Sequence, residues 1–201
     1  MKCELNYFDI EGAFGGSQKW FRNFPMYRAG CAAITACESC IYFACEFRKK
    51  ELYPFDTSEL TKKEFISFGM HMKPYLKPRF RGITKLSIYT EGFGRYLRDV
   101  DSDLKLKGFE GDNSYEDAAL FVKKQIDKGI LIPYLLLKHT NAIFDEIEWH
   151  WFVLTGYEEK EEDLLVQIAT FGKAMTVSLR DLWNTGYTTK GGMIEFTPNA
   201  Q

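Results

Sequence analysis

Three observations predict an α+β fold. The run from Cys31 to Arg48 is apolar nearly all round and has the composition of a helix buried in a core. From Ile130 onward the chain turns to short apolar and aromatic runs of strand length. Helical patterns early and strand patterns late, without regular alternation, separate this chain from a doubly wound parallel sheet. The expectation is a central buried helix packed on an antiparallel β-sheet. With 201 residues, 45% apolar and 16% aromatic, the chain can fill one sizeable core, so disorder is excluded as its main state and residues 1–201 are read as a single domain.

Each element has a local reason. Cys31–Arg48 contains good helix formers and no Pro or Gly. Thr61–Tyr75 and Leu86–Leu97 carry weaker amphipathic patterns, separated by the turn-rich basic segment Lys77-Pro78-Arg79-Phe80-Arg81-Gly82. Ser114 is an N-cap with Asp117 three residues on, and its helix runs through Phe121 and Ile126 to a stop at Gly129. Strands are predicted over Ile130–Lys138, Glu148–Tyr157, Leu164–Ala169, Met175–Val177 and Met193–Phe196, with one short helix over Ser178–Trp183. The acidic run Glu158–Asp163 reads as a soluble hairpin tip.

Charge and composition exclude several functions. Lys plus Arg number 26 against 28 Asp plus Glu, a net charge of −2, so no nucleic-acid partner is expected. The cations Lys73, Lys77, Arg79, Arg81 and Lys85, interleaved with Tyr75 and Phe80, are read as a solvated connection. The longest apolar run, Ile130–Leu137, is interrupted by Pro133 and falls short of the roughly 18 to 20 residues that span a bilayer, so no membrane association is expected. The N-terminal residues lack the apolar core of a secretory signal, which suggests a cytoplasmic location with reduced thiols. The five cysteines are odd in number and four crowd between Cys31 and Cys45, which is no disulfide framework. Cys37-Glu-Ser-Cys40 has the gap of a zinc-ligand pair, but no second pair or His follows before His71, so buried thiols are expected and neither metal nor cofactor. Gly92-Phe-Gly94 has no strand before it and is no dinucleotide fingerprint.

The chemistry is sought at the head of the buried helix. Unpaired amides at a helix N-terminus favour a thiolate, and Cys31 occupies that position while the other helical cysteines lie further in. Gly30 before it allows a tight turn and close approach of a substrate, and Ala32 and Ala33 leave the helix start uncrowded. The alternative is a small residue at a tight corner. A nucleophilic Cys needs a base, and His150 opens the strand Glu148–Tyr157, where it alternates with Trp149 and Trp151 and is expected to face away from both. Trp20, Phe21, Phe24 and Tyr27 precede Cys31 and belong either to a cleft or to the core.

Together, Gly30-Cys31-Ala32-Ala33-Ile34 at a helix start, the apolar strand Ile130–Leu137, His150-Trp-Phe-Val-Leu-Thr-Gly-Tyr and a strand pair closing with Thr170-Phe-Gly-Lys resemble the papain-like cysteine peptidase superfamily, most nearly its C39-like branch. The resemblance covers about residues 14 to 185 and implies a papain-like fold. It implies that Cys31 is the nucleophile and His150 the general base. It also implies a Gln that donates to the oxyanion; Gln18, after Gly15-Gly16-Ser17, is either that residue or a surface loop residue. Two departures stand out: Ala32 replaces the family's Gly after the Cys, and no Asp or Asn follows the strand after His150. Thr170 is left to hold the imidazole. Trp149, Trp151 and Gly30 are assigned to substrate binding. The implied activity is a cysteine hydrolase (peptidase or amidase) or an acyltransferase acting through a thioester on a peptide or small amide or acyl substrate. The alternative is an inactive relative that binds such a ligand. Oligomeric state is not legible in the sequence.

Overall fold

The computed structural model describes residues 1–198, which form an α+β fold with a mostly antiparallel sheet. In chain order the elements are β1 (Lys2–Glu4), β2 (Asp9–Ile10), β3 (Ala13–Phe14), α1 (Phe24–Ala29), α2 (Cys31–Glu46), α3 (Lys62–Met72), α4 (Leu86–Asp99), β4 (Lys105–Glu110), α5 (Tyr115–Ile126), β5 (Ile132–Leu136), β6 (His150–Glu159), β7 (Leu164–Thr170), β8 (Lys173–Ser178), α6 (Leu179–Trp183) and β9 (Gly192–Thr197). Short 3-10 turns cover Gln18–Trp20, Lys50–Leu52 and Ala142–Ile147.

The helices start where their caps stand. Thr61 Oγ1 accepts from the Glu64 amide, Ser114 Oγ from that of Asp117 and Ser178 Oγ from that of Asp181, each satisfying a donor the helix leaves free. The predicted segments over 31–48, 61–75 and 86–97 all become helices, the first ending at Glu46 and the second at Met72. Four elements were not expected: β1, the small hairpin of β2 and β3, helix α1 with its Asn23 cap and Pro25 in the first turn, and β4. The last of these sets a strand among the helices and at the edge of the sheet, where its Lys-Leu-Lys-Gly-Phe-Glu alternation suits one solvated face.

Seven strands make one sheet in the order β4-β9-β5-β6-β7-β8, with β1 also paired to β6. All of its pairings are antiparallel. Alternation along β5 and β6 divides their side chains between two cores. Leu135, Trp151 and Val153 join α2, α3 and α4 on one face, while Tyr134, Leu136, Phe152 and Leu154 join α5 and α6 on the other. Helices therefore cover both faces of the sheet, and α2 is buried continuously from Cys31 to Ala44.

Two backbone features position the head of α2. Gly30 alone separates α1 from α2 and caps both: its amide donates to Met26 O at 3.0 Å while its carbonyl accepts from Ile34 N at 3.0 Å. A Cβ on Gly30 would stand 2.4 Å from Met26 O, so only glycine lets the two helices join so closely. The second feature lies on the sheet: β7 pairs with β6 only from Val153↔Ala169 onward, which leaves the β7-side edge of His150–Phe152 open. Gly30→Ala is expected to cost about 2 kcal/mol or more by forcing that junction apart. The urea midpoint of unfolding measures it, and an unchanged midpoint would refute the packing role.

Candidate active site

Cys31 fills the notch at the open edge of β6. The residue is 4% exposed, and its thiol faces the backbone amides of Trp151, of Ala32 and of Cys31 itself. No side chain caps the start of α2, so the first-turn amides remain free for a sulfur or an oxygen. His150, the first residue of β6, is 7% exposed, and its Nε2 lies 2.9 Å from Thr170 Oγ1 at the end of β7. Cys31 and His150 line one cleft of about 890 Å³, together with Gln18, Trp149 and Phe171. They also line a second, small cavity of about 10 Å³.

The His150 ring is held on a second side by Phe171, stacked at 4.6 Å and 20°. Phe171 and Gly172 form the two-residue turn between β7 and β8, with φ of 51° and 75°. Positive φ at both central positions gives the primed turn that suits a twisted hairpin, and a Phe there is strained. Trp149 is also left-handed, at φ 53°, and donates its amide to Leu137 O at 3.0 Å. Strained residues thus flank the imidazole on both sides. Lys19 Nζ lies 4.4 Å from the Phe171 ring centroid, where the ring face attracts it.

Several expected residues take other places. The left-handed turn at Trp149 interrupts the alternation expected there, so Trp149 and His150 line the same cleft while Trp151 turns into the core. Trp151 is stacked on Tyr89 at 4.3 Å, and its Nε1 donates to Ile83 O at 2.7 Å, so it backs the site from inside instead of walling the open cleft. Gly30 is buried at the α1–α2 junction, outside the residues that line the cleft. Gln18 does reach the cleft: its Nε2 donates to Tyr27 O at 3.2 Å, and its Oε1 is buried without a partner. Phe21 is buried, Trp20 packs edge-on to Phe65, and Phe24 and Tyr27 are exposed away from the cleft lining.

The sequence reading missed the cleft's rim. Phe80, Arg81 and Gly82, read as part of a solvated connection, line it beside Arg28, Lys138, Asp145 and Glu146. Phe80 is fully exposed, an unusual place for an aromatic ring and the one signal that the segment borders a site. The other histidines have different surroundings. His139 has both ring nitrogens occupied by backbone, Nε2 2.8 Å from Asp181 O and Nδ1 accepting from Asn141 N, and His71 is exposed on α3 among Phe68, Tyr75 and Tyr96.

Burial reverses the expected electrostatics. A helix N-terminus was expected to lower the Cys31 pKa; the thiol is instead pushed up, because desolvation outweighs the three amides that face it. His150 is driven down to about 4, first by burial and then by the positive charge of Lys19. At neutral pH the pair is therefore a thiol and an uncharged imidazole. Glu38, two turns into α2, is raised to about 8 by the same burial, against the pull of the Gly16 amide. Cys37 and Cys40 are fully buried and their thiols are pushed up as well.

These shifts act on stability in opposite directions. The contribution of His150 is present above its ordinary 6.5 and lost as pH falls toward about 4; that of Glu38 is present below its ordinary 4.5 and lost as pH rises toward about 8. Glu38→Gln is expected to remove a stability loss of about 3 kcal/mol between pH 5 and pH 8. Urea unfolding at both pH values measures it, and parallel losses in the two proteins would contradict a neutral Glu38. Alkylation of Cys31 by iodoacetamide, followed by mass spectrometry, is expected to rise with pH through the alkaline range. A plateau already reached near pH 6 that disappears in His150→Ala would instead indicate a preformed ion pair.

Comparison of the chain with models of protein families, with curated proteins and with solved structures finds no match.

Proposed function

We propose that this protein is a papain-like cysteine hydrolase or acyltransferase that works through a thioester at Cys31. The observation that carries the reading is that Cys31 and His150, about 120 residues apart in the chain, line one cleft, with the imidazole tethered by Thr170. Because Nε2 is committed to Thr170 Oγ1, Nδ1 is the nitrogen free to act on the thiol.

With the pair neutral at rest, proton transfer accompanies attack instead of preceding it. The Cys31 S–H proton passes to His150 Nδ1 as Sγ bonds to the acyl carbon of the substrate. The resulting oxyanion is met by the Cys31 backbone amide and by Gln18 Nε2, whose second hydrogen is not used by Tyr27. The bond from carbon to the leaving nitrogen breaks, and that nitrogen takes the proton from Nδ1. Water or an amine then attacks the thioester and gives a proton to His150; the carbon–sulfur bond breaks, the acyl product leaves, and the departing Cys31 thiolate takes that proton back. A hydroxyl on Nε2 stabilises the imidazolium less than a carboxylate, which is consistent with a modest rate.

A second reading, an inactive relative that binds a peptide or acyl ligand in the cleft, is favoured by the buried, raised thiol and by a hydroxyl in place of a carboxylate on His150. Reaction with 4-nitrophenyl acetate separates the two. Stoichiometric acetylation mapped to Cys31, absent from Cys31→Ala and slowed about 10³-fold or more in His150→Ala, is expected of the enzyme. Thr170→Val is expected to slow it about tenfold through the lost hydrogen bond. A folded wild-type protein that is never acetylated at Cys31 would leave the binding reading.

A further inference from the structure

Glu38 is the one buried side-chain carboxyl among the described residues, and the proposed mechanism does not use it. It is 2% exposed, and none of the ion pairs found among the described residues includes it. Burying a carboxyl without a cation is costly, and an apolar residue would fill the same space more cheaply. What it meets is backbone: Gly16 N donates to Glu38 Oε1 at 2.8 Å. The Tyr7 hydroxyl lies beside the same carboxyl without completing a hydrogen bond.

The segment it grips is the one that carries Gln18. A Cβ on Gly15 would lie 2.7 Å from Glu38 Oε1, and one on Gly16 would lie 2.0 Å from the Phe65 ring, so both glycines are required for the backbone to come this close. Gly15 also has φ +71°, a conformation that side chains resist. Just before it, Phe14 N donates to Gly172 O at 3.0 Å, which ties the same segment to the turn behind His150. A cavity of about 10 Å³ is lined by Gly16, Gln18, Cys31, Glu38, His150 and Thr170 among others, so the carboxyl shares a small space with Cys31 and His150.

We propose that Glu38 is the positioning residue of the acyl-transfer site: through the Gly16 amide it holds the Gly15–Gln18 turn against α2, so that the Gln18 amide meets the oxyanion formed by attack of Cys31. The proposal rests on the acyl-transfer reading. Burial keeps Glu38 uncharged at neutral pH, so it can accept from Gly16 without setting a negative charge behind the developing oxyanion.

Two reagents on the 201-residue chain test it. Iodoacetamide alkylates a thiol without forming an oxyanion, whereas 4-nitrophenyl acetate requires one. Glu38→Leu is expected to slow acetylation of Cys31 about tenfold or more while alkylation stays within about twofold. Glu38→Gln keeps an acceptor for Gly16 and is expected to retain both rates within about threefold. Should Glu38→Leu fail to fold, Glu38→Asp, which withdraws the carboxyl by one methylene, is expected to show the same selective loss of acetylation. Equal slowing of both reactions, or no slowing of either, would overturn the positioning role while leaving acetylation of the wild-type protein intact. A wild-type protein that is alkylated but never acetylated would overturn the acyl-transfer reading and this proposal with it.

Discussion

Burial of α2 from Cys31 to Ala44 is the constraint on which the rest of the structure depends. Sixteen residues from Cys31 to Glu46, mostly small or apolar, let the helix pass beneath the sheet with its first turn against β6. Burial at that point removes water from the Cys31 thiol and the Glu38 carboxyl, and the neighbouring imidazole loses it as well. The cost of ionisation inside the core then governs all three. The helix N-terminus still directs free amides at the sulfur. A dipole contribution of this kind is worth about 1 kcal/mol, however, and desolvation of a thiolate exceeds it.

The sheet supplies the other half of the site by ending unevenly. Had β7 continued alongside β6 to His150, the edge amide of Trp151 would have been paired and the space for the Cys31 sulfur closed. Instead β7 turns back at Thr170 through Phe171-Gly172, and the chain enters β6 through a left-handed Trp149. Each irregularity costs of order 1–3 kcal/mol of backbone strain, and both lie next to the imidazole. The energy is recovered in contact: Phe171 covers the ring, Thr170 binds Nε2, and Trp149 opens toward the cleft. Outside this region β5 and β6 follow regular alternation between two apolar cores.

The pair formed by this packing is neutral and not an ion pair. With the imidazole near 4 and the thiol raised, both partners are neutral across the ordinary pH range. A neutral thiol is a weaker nucleophile than a thiolate, so such a site holds its sulfur in the less reactive form at rest. Arg28, Arg81 and Lys138 bring positive charge to the cleft, and Asp145, Glu146 and Glu148 bring negative charge. The cleft therefore carries both signs of charge, while Phe80 and Trp149 offer exposed aromatic faces.

Local chemistry was legible in the sequence wherever it acts over a few residues. The all-round apolar run from Cys31 marked the buried helix, Thr61 and Ser114 marked helix starts, and the β-branched and aromatic run after Glu148 marked the strand that opens with His150. The pairing of Thr170 with the imidazole was anticipated from position, for want of any nearby carboxylate. Short strands β1 to β4 escaped because two to six residues carry too little periodicity, and Phe80 and Arg81 escaped because a loop's neighbours are not written in its composition. The place of Trp151 in the core, the junction role of Gly30, the grip of Glu38 on Gly16 and the sign of the Cys31 shift were decided by the tertiary structure alone. Each depends on what lies across the fold and on how much water is excluded there, and those quantities are set by contacts between distant segments.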